Sequence, residues 1–560
     1  MLPRKAGMFN DIRQAPIDFL RAGARFYGCI LGAIREVPVL PSNLTPANAL
    51  KAYELRQADE PRLADERGRA EMHRRFFSIL LLLAGIAVGL PRTAPLSEAR
   101  ARLQGTPSAT PVLPQADLNQ LSTEAQGWLA DLIRIDTTNP PGNELAAAKY
   151  VAAVLQKENI PVEVLEIAPG RGVAIAQLQA GPLRDASKAL LLVAHLDVVG
   201  VDKSKWTVDP FGAAVKDGYL WGRGAIDDKG MVAANLATFV ELKRSGAKLN
   251  RDVIFLADDD EEQGGPASIK LVIDKYWDKI GCAFAINEGG RVVLKDGKVQ
   301  YVGIQASEKV SYNVAVVATG TSGHASIPRA DNSVVHLAAA VQKLGTLETP
   351  VELNTITRRY FEQLAQVEDE DTAKWMRALE TPERFALAAR RLSDMNPLWN
   401  SMLRDSITPT ELRAGVRVNV IPSESRANLN IRLLPEDSIG ALIALMQKTV
   451  NDPQIKFEIQ PDAGQSAPPS SLTSEFYKSM ERSIAQQFPG TIAVPFLSTG
   501  ATDSAELRLH NVQAYGLLPF PLAEADELRM HADDERIPLA SFRTGVEFLY
   551  RTVHDFVTAK

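Results

Sequence analysis

The chain has 560 residues, 45% of them hydrophobic and 23% charged, a composition ordinary for a soluble globular protein; at ~150 residues per domain it has room for about two to four domains and their cores. A net charge of −6 argues against a nucleic-acid-binding surface. With only two cysteines, Cys29 and Cys282, and seven histidines, no disulfide framework or cysteine-zinc cluster can form, so any metal site must lean on carboxylates.

Residues 1–71 show no strong periodic element and close on a charged stretch, ELRQADEPRLADERGRAE. Met72-His-Arg-Arg-Phe-Phe then leads into SILLLLAGIAVGL, ending at Leu90. Basic residues before a run of ~15 apolar residues match the first two regions of a secretory signal. The run is short for a spanning helix, which needs ~20 residues. A buried core helix is the structural alternative, and the lack of an amphipathic pattern counts against it. The expectation is a signal peptide or membrane anchor over 72–95, seated on 76–90. Met72 is then the initiator, or 1–71 is a dispensable extension, and the protein is periplasmic or secreted, free or membrane-anchored. Residues 96–117, with Pro, Ala, Ser and Thr and little periodicity, read as a linker.

Leu121 to Arg134 is helical in pattern, and TTNPPGNE breaks it. Glu144 to Lys157 reads as a second helix, and residues 162–167 and 173–178 as strands. Ala189 to Asp197, ALLLVAHLD, reads as a strand buried in a parallel sheet, with His195 and Asp197 at its C-terminal end. In open α/β sheets that edge gathers ligands and chemistry. DGYLWGRGAIDDKG then ends on Asp227 and Asp228 before a helix from Met231 to Lys243; taken alone, an aspartate there is an N-cap. VIFLA, 253–257, runs into five acids at 258–262, taken alone a solvated turn. CAFAIN, 282–287, runs into Glu288. Three strands in one region thus end in metal-capable side chains, and their coincidence is the signal.

HLDVV, GRGAIDDKG, DEEQGG and INEGG together resemble the motifs of the dizinc metallopeptidase family that includes acetylornithine deacetylase, succinyl-diaminopimelate desuccinylase, aminoacylase and carboxypeptidase S. The resemblance covers about residues 120–560 and is closest to the carboxypeptidase S branch. It implies an α/β fold: a zinc-exopeptidase-like mixed, mainly parallel sheet sandwiched by helices, interrupted by a smaller α+β lid or dimerisation domain. It implies two Zn2+ per subunit, with Co2+ or Mn2+ as substitutes. Residue by residue, His195 would bind one metal, Asp227 would bridge both, Glu262 and Glu288 would each ligate one, and His531 in LRMHADDERI would be the last ligand. Glu261 would be the general base and Asp197 the partner that orients His195. The Asp227–Asp228 peptide would be cis.

These residue types suit the chemistry. Imidazole and carboxylate ligands hold zinc and leave a position for water. Two metals ~3.5–4 Å apart share a water and lower its pKa. A carboxylate that is not a ligand takes the proton and later delivers it to the leaving amine.

From about Gln305 the pattern changes. SYNVAVVATG reads as a strand, TSGHASIPR as a loop and Asn332 to Leu344 as a helix. A lone loop histidine is ordinarily a surface residue. The resemblance instead makes His324 an oxyanion stabiliser, one supplied by the other subunit in dimeric relatives. Residues 346–414 contain no glycine and read as a helical insertion within a lid spanning 305–465. In the strand–turn–strand of 417–435, Asn419 and Arg432 match family positions that contact substrate. Arg432 would pair the substrate carboxylate, a bidentate task suited to arginine; a surface ion pair is the alternative. The catalytic domain, begun at 118–304, resumes over 466–560. There LSTGATD, 497–503, resembles the family's Gly-Thr-Asp loop beside the substrate carboxylate and offers Gly500 and Thr502, with GAT departing slightly from the pattern.

The function expected is hydrolysis of an amide bond beside a free carboxylate in dipeptides, short peptides or N-acyl amino acids. A homodimer through the lid and a monomer both stay open, since a long insertion in the lid can replace or block the dimer contact. The alternative is a non-catalytic binding or assembly protein on the same fold, which a missing base or ligand would favour. A nicotinamide enzyme fits poorly, since Gly222-Arg-Gly224 lacks the third glycine of that fingerprint.

Overall fold

The computed structural model describes residues 115–181, 188–264, 269–461 and 464–558. All lie in one compact unit, Ser108–Lys560. The segments 1–71 and 72–95, and the linker as far as residue 114, lie outside the described residues. Among the described residues no helix is long and apolar enough to cross a membrane.

The chain enters through α1 (Gln115–Arg134) and α2 (Glu144–Lys157), then β1 (Val162–Ala168), β2 (Arg171–Leu178) and β3 (Leu190–His195). A short ribbon, β4 (Ala214–Lys216) and β5 (Tyr219–Trp221), precedes α3 (Lys229–Arg244) and β6 (Val253–Asp258). Next come α4 (Ile269–Ile280), β7 (Phe284–Asn287), β8 (Arg291–Lys295) and β9 (Lys298–Glu308). β3 lies between β6 and β7, parallel to both, with Leu190 opposite Val253 on one side and Phe284 on the other. Leu190, Leu192 and Ala194 enter one core cluster, whereas Leu191 and Val193 enter another on the opposite face. That alternation is the period-two geometry of a strand covered on both faces, which is why its sequence is apolar without interruption. α3 packs on β3 and is in turn covered by α1 and the C-terminal helix; its residues 229–242 are all buried.

The lid begins with β10 (Val310–Thr319) and β11 (Gly323–His324), followed by α5 (Ser333–Gly345). Four helices follow: α6 (Thr355–Leu364), α7 (Glu370–Ala378), α8 (Pro382–Met395) and α9 (Pro397–Met402). Then come β12 (Ser406–Ala414), β13 (Val420–Ile421), β14 (Glu424–Leu433), α10 (Ile439–Val450) and β15 (Ile455–Ile459). The lid sheet is antiparallel in the order β12-β14-β10-β15. Leu337 and Leu344 of α5 and Leu442 and Met446 of α10 fill one of its faces. The chain returns through α11 (Glu475–Gln487), β16 (Ile492–Ser498), α12 (Ser504–Leu509), β17 (Gln513–Gly516), β18 (Pro521–Leu522), α13 (Glu524–Glu527), β19 (Arg536–Pro538) and α14 (Leu539–Thr558). The main sheet runs β1-β2-β6-β3-β7-β17-β9-β8-β18, with β16 also paired to β9. The fold is therefore a mixed α/β sheet with a parallel centre, helices on both faces and a smaller inserted sheet.

Two details differ from the sequence-derived boundaries. β9 runs on to Glu308, so the chain crosses between sheets at Lys309 rather than at Gln305, because Tyr301 to Gln305 still pair with β16 in the main sheet. The segment 346–414 is helical only as far as Met402; Ser406–Ala414 forms the edge strand β12. Its helices also do not enlarge the lid core. Ile356, Tyr360, Phe361, Met376 and Trp399 join the main core cluster, and the Tyr360 ring lies 6.0 Å from that of Phe496 on β16. An apolar helix face buries itself on whatever apolar surface is nearest, and sequence pattern does not say which.

Lys309 at the crossing is 1% exposed, and its Nζ donates to the carbonyls of Ser401 (2.9 Å) and Arg404 (2.7 Å). Burial pulls its pKa down from 10.5 to about 7. The unfolded chain therefore binds more protons between about pH 7 and 10.5, and the folded state gains as pH rises through that window. Denaturant unfolding of the wild type and Lys309→Met at pH 7 and 9.5 should show the wild type gaining on the variant at the higher pH. A pH-independent difference between the two would refute the assignment.

Candidate metal and catalytic site

β3 delivers His195, 1% exposed, with the fully buried Asp197 just beyond it. The His195 Nδ1 lies 3.1 Å from the Asp197 carbonyl oxygen and 3.3 Å from its Oδ1. Its Nε2 lies 3.1 Å from Asp227 Oδ1. The Asp197 carboxylate also accepts the backbone N–H of Glu261 (3.2 Å) and Glu262 (3.1 Å) and the Asn139 side chain (2.8 Å). One buried carboxylate thus orients the histidine and pins the turn carrying both glutamates, and such outer partners fix ligand geometry. Burial works against the charge of Asp197, but the His195 and Asn139 bonds hold its pKa below the usual range.

Asp227 stands just before α3, and its peptide bond to Asp228 is cis. Asp228 occupies the N-cap position but makes no side-chain cap bond, so the helix-capping reading of this pair does not hold. Asp227 Oδ2 lies 3.0 Å from the Nε2 of His531, which is also 3.2 Å from Glu262 Oε2. The two oxygens of one carboxylate therefore each face a different histidine. Potential ligand atoms of His195, Asp227 and Glu262 lie within 4.8 Å of one another, as do those of His195, Glu261 and Glu288.

The cluster is short of positive charge. Burial, then the neighbouring Glu288, pushes the Glu261 carboxyl well above its ordinary range; burial and Asp227 do the same to Glu288. The bonds to Asp227 and Glu262 raise His531 to about 10. Glu262 Oε1 is buried with no hydrogen-bond partner. Two imidazoles among several carboxylates, with an unpartnered carboxylate oxygen between them, fit divalent cations of the zinc type.

The lid residues are placed differently. His324 is exposed on β11, with Nδ1 2.7 Å from the Ser326 hydroxyl. Asn419 is exposed beside it, its carbonyl accepting from Ala325 N–H (3.0 Å). Among the described residues neither makes a polar contact with the cluster. Arg432 donates to Asn430 (3.0 Å) and forms no salt bridge among the described residues, so the surface ion pair is absent. Burial lowers its pKa, and the charges of Glu261 and Glu308 oppose this. Gly500 N–H bonds the Ser498 hydroxyl (3.2 Å), and Thr502 gives its N–H (3.0 Å) and hydroxyl (2.9 Å) to Glu308.

Several supporting residues escaped the sequence reading. Asn139, in a stretch read only as a helix breaker, bonds Asp197 and Asp260 (2.8 Å each), while Arg171 bonds Asn139 and pairs with Asp260 at 2.6 Å. Glu308, the last residue of β9, also takes Arg508 at 2.5 Å. None of these has a local sequence signal, because each partner lies far along the chain.

Residues 191–555 match the peptidase family M20/M25/M40. The "Probable carboxypeptidase S-like 2" of Dictyostelium discoideum is 30% identical over 391 residues, covering 67% of this chain and 72% of that one. Human N-fatty-acyl-amino acid synthase/hydrolase PM20D1 is 29% identical over 372 residues, covering 65% and 73%. The M20 family metallo-carboxypeptidase Sso-CP2 from Sulfolobus solfataricus shares the fold, with a TM-score of 0.59 at 20% identity over 77% of this chain and 99% of that one.

Proposed function

Because the chain belongs to peptidase family M20/M25/M40, a family of metal-dependent peptidases and amidohydrolases, we propose that it hydrolyses an amide bond beside a free carboxylate. The substrates are dipeptides, short peptides or N-acyl amino acids. The observation that carries this reading is the Asp227 carboxylate shared between His195 and His531, with Glu261 grouped beside His195 and Glu288. His195, Asp227 and Glu288 would hold one cation, and Asp227, Glu262 and His531 the other. Two zinc ions bound there supply Lewis-acid polarisation of the carbonyl and a water of lowered pKa; Co2+ or Mn2+ can substitute.

The chain's own groups do the rest. The Glu261 carboxylate takes a proton from the attacking water as its oxygen bonds the carbonyl carbon. Glu261 then passes that proton to the amine nitrogen as the C–N bond breaks. Arg432 pairs the substrate's carboxylate, with the Gly500–Thr502 loop beside it. His324 donates to the developing oxyanion, and Asn419 beside it contacts the substrate, when the lid, or a second subunit in a homodimer, presents them. A donor set complete with a base gives the non-catalytic alternative no support.

The names of the relatives, carboxypeptidase S-like and N-fatty-acyl-amino acid synthase/hydrolase, support an amide next to a carboxylate. Zinc-loaded protein incubated with a mixed panel of dipeptides and N-acyl amino acids, read by mass spectrometry, tests the proposal. Cleavage is expected only of members with a free carboxylate next to the amide; equal cleavage of their amidated forms would sink it. Mixing His324→Ala with Glu261→Gln tests the dimer, since restored activity requires sites completed between subunits. Periplasmic or secreted location, through 72–95, is tested by N-terminal sequencing of native protein; a mature chain retaining 1–71 would rule out cleavage.

A further inference from the structure

His531 is the weakly anchored member of the cluster. It sits at φ +61° on a polar loop, with a side chain 53% exposed, whereas His195 is 1% exposed at the end of a core strand. Something other than its own packing must hold it against Asp227. The structure supplies this four residues later. Glu535 is fully buried, and its Oε1 accepts the backbone N–H of Ile226 (2.8 Å) and Asp227 (3.2 Å). Its Oε2 accepts the Gly224 N–H (3.1 Å) and the Arg223 guanidinium (2.6 Å). Arg223, 2% exposed, reaches back to the carbonyls of His531 (3.4 Å) and Ala532 (3.1 Å). The ribbon continues the same attachment: β19, which begins at Arg536, pairs antiparallel with β5, opposing Arg536 to Trp221.

We propose that Glu535 and Arg223 are a positioning pair that locks the His531 loop onto the Asp227 loop and thereby sets the affinity of one cation position, that of Asp227, Glu262 and His531. The inference rests on the metal-centre reading. Each member bridges the two loops. Glu535 belongs to the His531 loop and bonds the Asp227 loop; Arg223 belongs to the Asp227 loop and bonds the His531 loop. The other position shares Asp227 but takes its two remaining ligands from elsewhere, since His195 is held by β3 and Asp197 and Glu288 follows β7. Loss of the pair should therefore weaken the position of Asp227, Glu262 and His531 more than the other, which has only Asp227 in common with it. Partners of this outer kind are worth about 10–100-fold in metal affinity.

The test is calorimetric titration of Co2+ into the metal-stripped full chain. Wild type, Glu535→Gln, His531→Ala and the combined Glu535→Gln/His531→Ala are compared. A further variant, Arg223→Met/Glu535→Leu, removes both charges and leaves none buried alone. Wild type should bind two Co2+. Glu535→Gln and the apolar double should weaken one position about 10–100-fold and the other distinctly less. The combined Glu535→Gln/His531→Ala chain should be no worse at that position than His531→Ala, because the pair acts through His531. Wild-type affinity at both positions in folded pair variants would overturn the inference, as would equal weakening of both. Variants unfolded at room temperature would assign the pair to the fold and overturn it too. A wild type that binds no Co2+ would sink the metal reading itself, a result distinct from all of these.

Discussion

Glu261→Gln is expected to cut kcat by about 10²–10⁴-fold while two cations stay bound, because it removes a proton carrier and not a ligand. The glutamine keeps the side chain's volume, and the turn is held through the Glu261 and Glu262 backbone N–H bonds to Asp197, which the substitution leaves alone. Glu288 and Glu262 keep their carboxylates. Steady-state kinetics beside metal analysis separates the outcomes. Near-native kcat would show that another group carries the proton. Loss of cations along with activity would make Glu261 a ligand, in line with its closeness to His195 and Glu288.

Asp227→Ala should have the larger effect, reducing turnover to background and cation content below that of either single-histidine variant. One carboxylate serves both His195, through Oδ1, and His531, through Oδ2. Removing it opens both cation positions together and leaves two imidazoles beside Glu261, Glu262 and Glu288 without their common partner. Metal content after dialysis, with a thermal melt in the same buffer, checks this. A variant that still holds two cations would show that the two positions do not share Asp227. A chain that loses the cations should also lose the rise in melting temperature that they give the wild type, since a ligand that binds only the folded state stabilises it by mass action.

Much of this site was legible because its parts are local. An apolar run that stops at a histidine, another that stops at a row of acids and a third that stops at Glu288 are patterns within a few residues. The parallel-sheet geometry that turns those run-ends into one edge is a general rule. The reading of Asp227 depended on family resemblance, because an aspartate before a helix has a plain local explanation that the absence of a cap bond at Asp228 now removes. The lid residues were legible as a motif set but not as a geometry: His324 and Asn419 stand together on the lid, exposed and without a polar bond to the cluster.

By itself, the sequence determined the three apolar strands and the metal-capable residues at their ends, since hydrophobic period and chain-breaking residues act over a few positions; the inserted domain was inferred from motif order and family resemblance. Only the tertiary structure decided what is built from distant residues. It put His531 and His195 on opposite oxygens of Asp227, gave Asp197 the backbone of Glu261 and Glu262 to hold, and joined Glu535 to Arg223. It also sent the helices of 355–402 to the main core and left Ser406–Ala414 as a strand of the lid. Such choices depend on which surfaces and carboxylates meet after the chain has folded, and that information is carried by no short stretch of it.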